Sequence, residues 1–275
     1  MKRFVSIVQG LWWSLALSLS ACSQPVHAPE YIDQKWSKDS IWDQGLAEVA
    51  EYESIRIIYG QPRSYTQTVI SVKEDFSKQY NAKTTDYDRS DLFEVIKQIQ
   101  MATIETENYP YQYFASSFVL RQAPGHLHKS QVSSQEWCGT TFKLIRRKGR
   151  SLHAQYHSYW HAEGSATQRL PKNSWTEEQL PLTLRALAFE DGLTFKPPLA
   201  FGLLSNKANF QVDEEAKFMV RDAGSDWSVE VSFGNGMLNT YTFDQEFPHV
   251  LTHFQSSDGR QWTLTSVKWD AYWEH

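Results

Sequence analysis

Much of the chain alternates apolar and polar residues with a period of two, the pattern of strands that bury one face. Across residues 65–73, Thr66, Thr68, Ile70 and Val72 alternate with Tyr65, Gln67, Val69 and Ser71. Val95, Ile99, Met101 and Thr103 share one face of a strand, although that segment also tolerates a helix. In the C-terminal third, Trp227, Val229, Val231 and Phe233 alternate with Ser228, Glu230 and Ser232. Gly234-Asn235-Gly236 then punctuates and the alternation resumes over 237–243, which predicts a β-hairpin. Val250, Thr252 and Phe254 continue the pattern, Ser257-Asp258-Gly259 turns the chain, and residues 262–269 make a last strand before Ala271-Tyr272-Trp273. Consecutive hairpins predict a mainly β protein, either a curved antiparallel sheet or an open to partly closed barrel-like meander, with one or two short helices. One helix is marked by Thr176 and Gln179, a capping box, with Glu177 and Glu178 in the first turn and an apolar run over 182–187; Pro181 delays or kinks its start.

The N-terminus carries an address. Lys2 and Arg3 precede an almost uncharged apolar stretch over 4–19, followed at once by small residues, the layout of a secretory signal. Leu19-Ser20-Ala21-Cys22 resembles the lipobox of bacterial lipoproteins, which implies cleavage before Cys22, acylation of Cys22, and, with Ser23 after it, sorting to the outer membrane with the body facing the periplasm. An ordinary secreted protein and a single anchor helix are the alternatives; Gln9 and Gly10 interrupt the apolar stretch and shorten it for a membrane span. Residues 1–21 read as signal peptide, 22–40, polar with Pro25 and Pro29, as a flexible tether, and 41–275 as a single β-rich domain whose possible halves join near 165–200.

Composition narrows the function classes. The 275 residues are 41% hydrophobic and 14% aromatic, which suits a chain that buries a core. Lys plus Arg is 27 against 32 Asp plus Glu; loss of Lys2 and Arg3 leaves 25 against 32, a mature charge of −7. No basic excess favours nucleic acid, and Arg146-Arg147-Lys148 with Arg150 reads as a solvated hairpin tip. With Cys22 acylated, Cys138 is the one remaining thiol, so the core must supply stability without a disulfide.

Candidate chemistry is sparse. In Gln135-Glu136-Trp137-Cys138-Gly139 the thiol of Cys138 would be a nucleophile if a His reached it, and is otherwise a small apolar residue. His153, His157 and His161 share a face whether the segment is strand or helix, but residues four apart on a strand lie about 13 Å apart, too far for one metal ion. A zinc site there would need a helix, and the Tyr, Trp and Ser residues between favour strand. His126 and His128 are read as loop residues. Glu74-Asp75 and Glu190-Asp191 are adjacent pairs whose side chains diverge on a strand. No GxSxG, GxGxxG, Walker loop or HExxH is present, and no cofactor is implied. The aromatic load, 15 Phe, 13 Tyr and 11 Trp, either fills the core or lines a cavity for an acyl chain or other apolar ligand in a curved sheet.

Several stretches carry a resemblance: Trp42-Asp43-Gln44-Gly45-Leu46-Ala47-Glu48 with Tyr52, then Tyr59-Gly60, Arg63, Val72 and Glu74-Asp75-Phe76. Asn108-Tyr109-Pro110-Tyr111, Gln135-Glu136-Trp137-Cys138-Gly139 and Glu246-Phe247-Pro248-His249 extend it over most of the mature chain. Together they resemble an uncharacterised family of bacterial outer-membrane lipoproteins, some labelled septum formation inhibitor Maf. The Ser-x-Ser-Pro-Arg-Arg loop of Maf pyrophosphatases is missing, and Ser64 after Pro62-Arg63 does not replace it. The resemblance implies location and a β-rich fold, and brings no catalytic residues with it. The expected role is a membrane-anchored, non-enzymatic binding or assembly factor for an apolar small molecule, lipid or envelope protein partner. A Cys138-dependent hydrolase or transferase and a purely structural envelope protein are the alternatives.

Overall fold

A computed structural model describes residues 28–149 and 151–274. The meander predicted from the alternation is present. It begins with β1 (Ala47–Ile58), β2 (Gln61–Ser77), the short β3 (Ala82–Lys83), β4 (Leu92–Ile104) and β5 (Tyr111–Leu120). It continues through β6 (Ala123–Glu136), β7 (Gly139–Lys148), β8 (Ser151–His157) and β9 (Ser165–Arg169). The chain then crosses through β10 (Trp175–Thr176), a one-turn 3-10 helix at Glu177–Gln179, the helix α2 (Leu180–Thr183; α1 is Gln34–Lys38) and a second 3-10 turn at Leu184–Ala186. After β11 (Thr194–Phe195), β12 (Leu199–Phe201) and β13 (Gln211–Asp213), a second run of hairpins follows. It comprises β14 (Lys217–Asp222), β15 (Asp226–Ser232), β16 (Leu238–Asp244), β17 (Leu251–Ser256) and β18 (Gln261–Asp270).

One antiparallel sheet of 15 strands joins both runs because the last strand, β18, pairs with the first, β1. The chain therefore starts mid-sheet, meanders out to the edge at β9, returns across one face, and meanders from the far edge at β11 and β14 back to the middle. The sheet is open and does not close into a barrel, and the 165–200 stretch connects its two runs of hairpins. A separate sheet of β10, β12 and β13 belongs to the returning segment.

That returning segment fills the concave face. Trp175, Leu180, Leu182, Leu184 and Ala186 are buried against Val69, Ile96, Val132, Ile145, Val229 and Phe243 of the sheet in one core cluster. The Gln179 half of the predicted capping box is formed: the Thr176 N–H donates to Gln179 Oε1 at 3.0 Å. Glu177 and Glu178, in this first turn, are 7% and 5% exposed.

The 95–103 segment is a strand, and its apolar face is the outer one. Ile96, Gln98, Gln100 and Ala102 turn inward, and Ile99 and Met101 pack with Ile70 and Val72 outside. The inward amides are satisfied: Gln98 Nε2 donates to Ser71 Oγ at 3.2 Å and Gln100 Nε2 to the Glu178 carbonyl at 2.7 Å. His128 is likewise in a strand, β6, packed on Phe93 and Phe76. Burial pushes its pKa down to about 4, so it is neutral at physiological pH.

Residues 28–40, expected as part of a tether, belong to the folded body. Ile32 and Trp36 join the core, Asp33 caps α1, and the Asp33 N–H donates to the Ala186 carbonyl at 2.7 Å. Cys22, the lipobox and residues 22–27 lie outside the described residues. The N-terminal segment closes the sheet end that carries the β5–β6 turn: Ser37 Oγ donates to the Arg121 carbonyl at 2.6 Å, and Arg121 holds Asp43 with two bonds of 2.8 and 2.6 Å. At this end Arg185 makes a bidentate pair with Glu48, both bonds 2.7 Å and both side chains 3% exposed. Arg185 Nε also donates to the Pro248 carbonyl, which accepts from Trp36 Nε1 as well, each at 3.0 Å.

Removal of one member of this pair strands a buried charge, so Glu48→Ala is expected to destabilise the protein by about 3–5 kcal/mol. Urea denaturation of the single variant and of the double Glu48→Met/Arg185→Met variant checks this. The double variant should recover much of the loss; a single variant within about 1 kcal/mol of wild type would show that the pair is not load-sharing in the fold.

Candidate functional site: a polar cleft behind an aromatic mouth

In an antiparallel meander alternate turns meet at the same end. The turns at 59–60, 137–138, 233–237 and 257–260 thus gather at the end opposite the N-terminal segment, together with the loop at 202–210. The 202–210 loop and the turns at 233–237 and 257–260 contribute to a cleft of about 430 Å³ lined by Arg56, Glu177, Phe201, Leu204, Met237 and Arg260, among others. Behind it a cavity of about 30 Å³ lies between Gln100, Glu178, Tyr241 and Trp262. That is room for about one water molecule. Glu177 and Arg260 line both spaces.

The fixed charges here are highly ordered. Glu177 Oε1 accepts from Arg260 Nη2 at 2.8 Å and Asn239 Nδ2 at 3.1 Å, and its Oε2 accepts from the Gly202 N–H at 3.2 Å. Arg260 also holds Asp258 at 2.8 Å, and the two acids raise its pKa against the effect of burial. Glu178 Oε1 accepts from the Leu204 N–H at 3.0 Å, while Oε2 has no hydrogen-bond partner among the described residues. Burial, with the neighbouring Glu177 charge, pushes the Glu178 carboxyl up to about 7. Lys143 is buried nearby, its ammonium donating to the Leu203 carbonyl and, at 3.2 Å, to the Ser205 carbonyl and hydroxyl; burial brings its pKa down to about 8. Arg56 lies over the Tyr113 ring at 4.2 Å and donates to the Leu204 carbonyl at 2.6 Å.

The raised carboxyl of Glu178, beside the ion-paired Glu177, has the electrostatics of a general acid. Its position weighs against that role: Glu178 lines the small cavity and not the cleft. Glu178 couples protonation to the fold, whereas Glu177 also lines the cleft. Sequence reading missed both because an acid in a helical first turn is normally solvated, and nothing local shows that this helix is enclosed by a sheet.

Beside the cleft, the same end of the sheet forms an aromatic mouth. Trp137 is 76% exposed and stacks on Tyr109 with centroids 5.9 Å apart. The Tyr59 hydroxyl bonds those of Tyr109, at 3.4 Å, and Tyr111. Tyr159 adds a further exposed ring, and Gly139 is required beneath it, since a Cβ there would lie 2.4 Å from Tyr159 Cγ. Cys138 is in the β6–β7 turn at this rim, half-buried, with its Sγ 3.4 Å from the Tyr109 hydroxyl. The thiol is thus neither sealed in the core nor seen with a histidine; its neighbour is a phenol whose own pKa is raised.

His153 and His157 lie four apart on β8, and His161 falls beyond the strand, in the turn before β9, so the three do not share a strand face. His157 Nδ1 bonds Ser165 Oγ at 2.7 Å. Among the described residues no three His, Cys, Asp or Glu side chains converge as a metal site. In the basic hairpin, Arg147 is not wholly solvated: its Nε donates to the Leu127 carbonyl at 2.8 Å.

No family model matches the chain, and no curated protein matches it. Among solved structures, a DUF1089-family protein of Pseudomonas aeruginosa is similar at 14% identity and a TM-score of 0.37, over 57% of this chain and 82% of that one.

The sign of the Glu178 effect follows from its raised value. The folded state holds a proton that the unfolded carboxyl, near 4.5, has lost, so this contribution to stability is present below 4.5 and disappears as the pH rises through about 7. Glu178→Gln should flatten the stability profile over that interval and exceed wild type above it. Urea midpoints measured across this range check the prediction, and an unchanged slope in the variant would refute it.

Proposed function

We propose that the protein is a lipid-anchored binding or assembly factor of the outer membrane, facing the periplasm, held by acyl chains on Cys22 and engaging an envelope partner through the aromatic mouth. The observation that carries the reading is the clustering of exposed Trp137, Tyr59, Tyr159 and Ile57 at one end of the sheet. Exposed aromatic groups are costly to leave in water unless they serve recognition, and Trp and Tyr are the residues that dominate interface energetics.

The placement of the N-terminal segment supports the orientation. Gly125, at the start of β6, packs against Pro29 and Ile32, so the chain enters at the end opposite the mouth. Ala28 lies six positions along the chain from Cys22, a reach of about 20 Å at full extension. An anchor at Cys22 therefore holds the closed end near the bilayer and presents the mouth away from it. Multiple acyl chains on one cysteine give durable attachment, which a single chain does not.

A protein partner fits this geometry better than an enclosed apolar molecule. The concave face, where an acyl chain would lie, is occupied by Leu180, Leu182 and Leu184. The hydrolase or transferase reading needs a base to ionise Cys138, and the group facing it is the Tyr109 hydroxyl.

Metabolic labelling with an alkyne fatty acid tests the anchor: label on the wild-type protein, and its loss with release to the soluble fraction in Cys22→Ala, is the expected result. A photo-crosslinking residue placed in living cells at Trp137 should give a discrete adduct, and one at the exposed Tyr272 at the opposite end should not. Equal adducts at both positions, or none at Trp137, would count against the mouth. Cys138→Ser should leave the adduct unchanged, and its loss would favour thiol chemistry.

A further inference from the structure

We propose that the outer face of β2, β4, β5 and β6 is a binding groove for an uncharged oligosaccharide, a site separate from the mouth and independent of the lipid anchor. This face carries a shallow depression of about 650 Å³. Two rows of side chains cross the strands. In the first, Thr66 is followed by Thr103, which faces Gln112, which faces Gln135. In the second, Thr68 faces Met101, Met101 faces Phe114, and Phe114 faces Ser133.

Every side chain lining the groove is uncharged, although 21% of the chain is charged. The neutrality is local. Nearer the closed end of the same face, Lys97 pairs with Phe118, Phe118 with Lys129, and Lys129 with Arg146. An anionic ligand in the groove would lose water without gaining a counter-charge, since the rows continue onto β1 with Glu53 facing Thr66 and Glu51 facing Thr68. An acyl chain would cover the Gln and Thr groups and leave them unpaired.

A sugar chain meets both demands. Hydroxyl and amide side chains donate and accept alike, which matches the hydroxyl edges of a pyranose. The apolar face of a sugar ring needs a flat or adaptable apolar partner; Phe114 is 39% exposed and Met101 lies beside it in the same row. Four strands about 4.8 Å apart place the outer two about 15 Å from each other, room for about three sugar rings laid along the rows.

Calorimetric titration of the full-length protein in detergent with chitohexaose, maltohexaose and cellohexaose tests the site. At least one sugar should bind, with an affinity that changes less than about twofold between about 0.05 and 0.5 M salt, as an uncharged contact requires. Phe114→Ala and Gln112→Leu should each weaken binding by about tenfold or more, and Trp137→Ala at the mouth should not. Thermal melts confirm that each variant is folded; should Phe114→Ala fail to fold, Thr103→Val takes its place. No binding by any of the three sugars, strong salt dependence, or binding abolished by Trp137→Ala but insensitive to Phe114→Ala overturns the proposal.

Discussion

The architecture depends on the segment from Trp175 to Leu187 lying in the concave face of the sheet. An open sheet of this breadth exposes a large apolar surface on its inner face, and burial of that surface is the main favourable contribution available to a chain without an intramolecular disulfide among its described residues. The segment is fastened to the sheet at both ends by ion pairs of opposite sense. Its Glu177 is held by Arg260 at the mouth, and its Arg185 is held by Glu48 at the closed end. Each charge is costly to bury alone and tolerable only with its partner, so the pairs fix where the segment lies along the sheet.

Filling the interior moves function to surfaces. Among the surfaces that remain open are the polar cleft, the aromatic rim beside it and the outer groove, and the chemistry differs between them. At the mouth, ordered charges lie beneath exposed rings; in the groove there are amides, hydroxyls and one accessible ring without charge. Glu178, buried behind the cleft with one unpartnered oxygen, ties the protonation of the segment to the stability of the whole. Lys143 and Arg56 brace the same region by donating to backbone carbonyls of the 203–205 loop.

The strands were legible in the sequence because period-two alternation is a local consequence of the pleat. The hairpins around Gly234-Asn235-Gly236 and Ser257-Asp258-Gly259 follow from it, and so does the short helix at Thr176. Which face of a strand is inside was not legible: in β4 the apolar Ile99 and Met101 face outward, and Gln98 and Gln100 face inward because Ser71 and the Glu178 carbonyl, 27 and 78 residues away in sequence, accept their hydrogen bonds. The candidate site was legible only at its rim. Cys138 and its aromatic neighbours stood out locally, but Glu177, Glu178, Arg260 and Arg56 come from distant segments and look like ordinary solvated charges until the chain is folded.

The sequence by itself determined the class of fold, the run of hairpins and, through Lys2, Arg3 and the Leu19-Ser20-Ala21-Cys22 resemblance, the expectation of an acylated N-terminus. Only the tertiary structure decided that the sheet stays open, that β18 closes onto β1, that residues 28–40 belong to the folded body, and that the concave face is occupied. Strand alternation and turns are set by neighbours a few residues apart, whereas closure, filling and the pairing of buried charges depend on contacts between segments more than a hundred residues apart, such as Glu48 with Arg185. Such contacts leave no periodic trace in the chain.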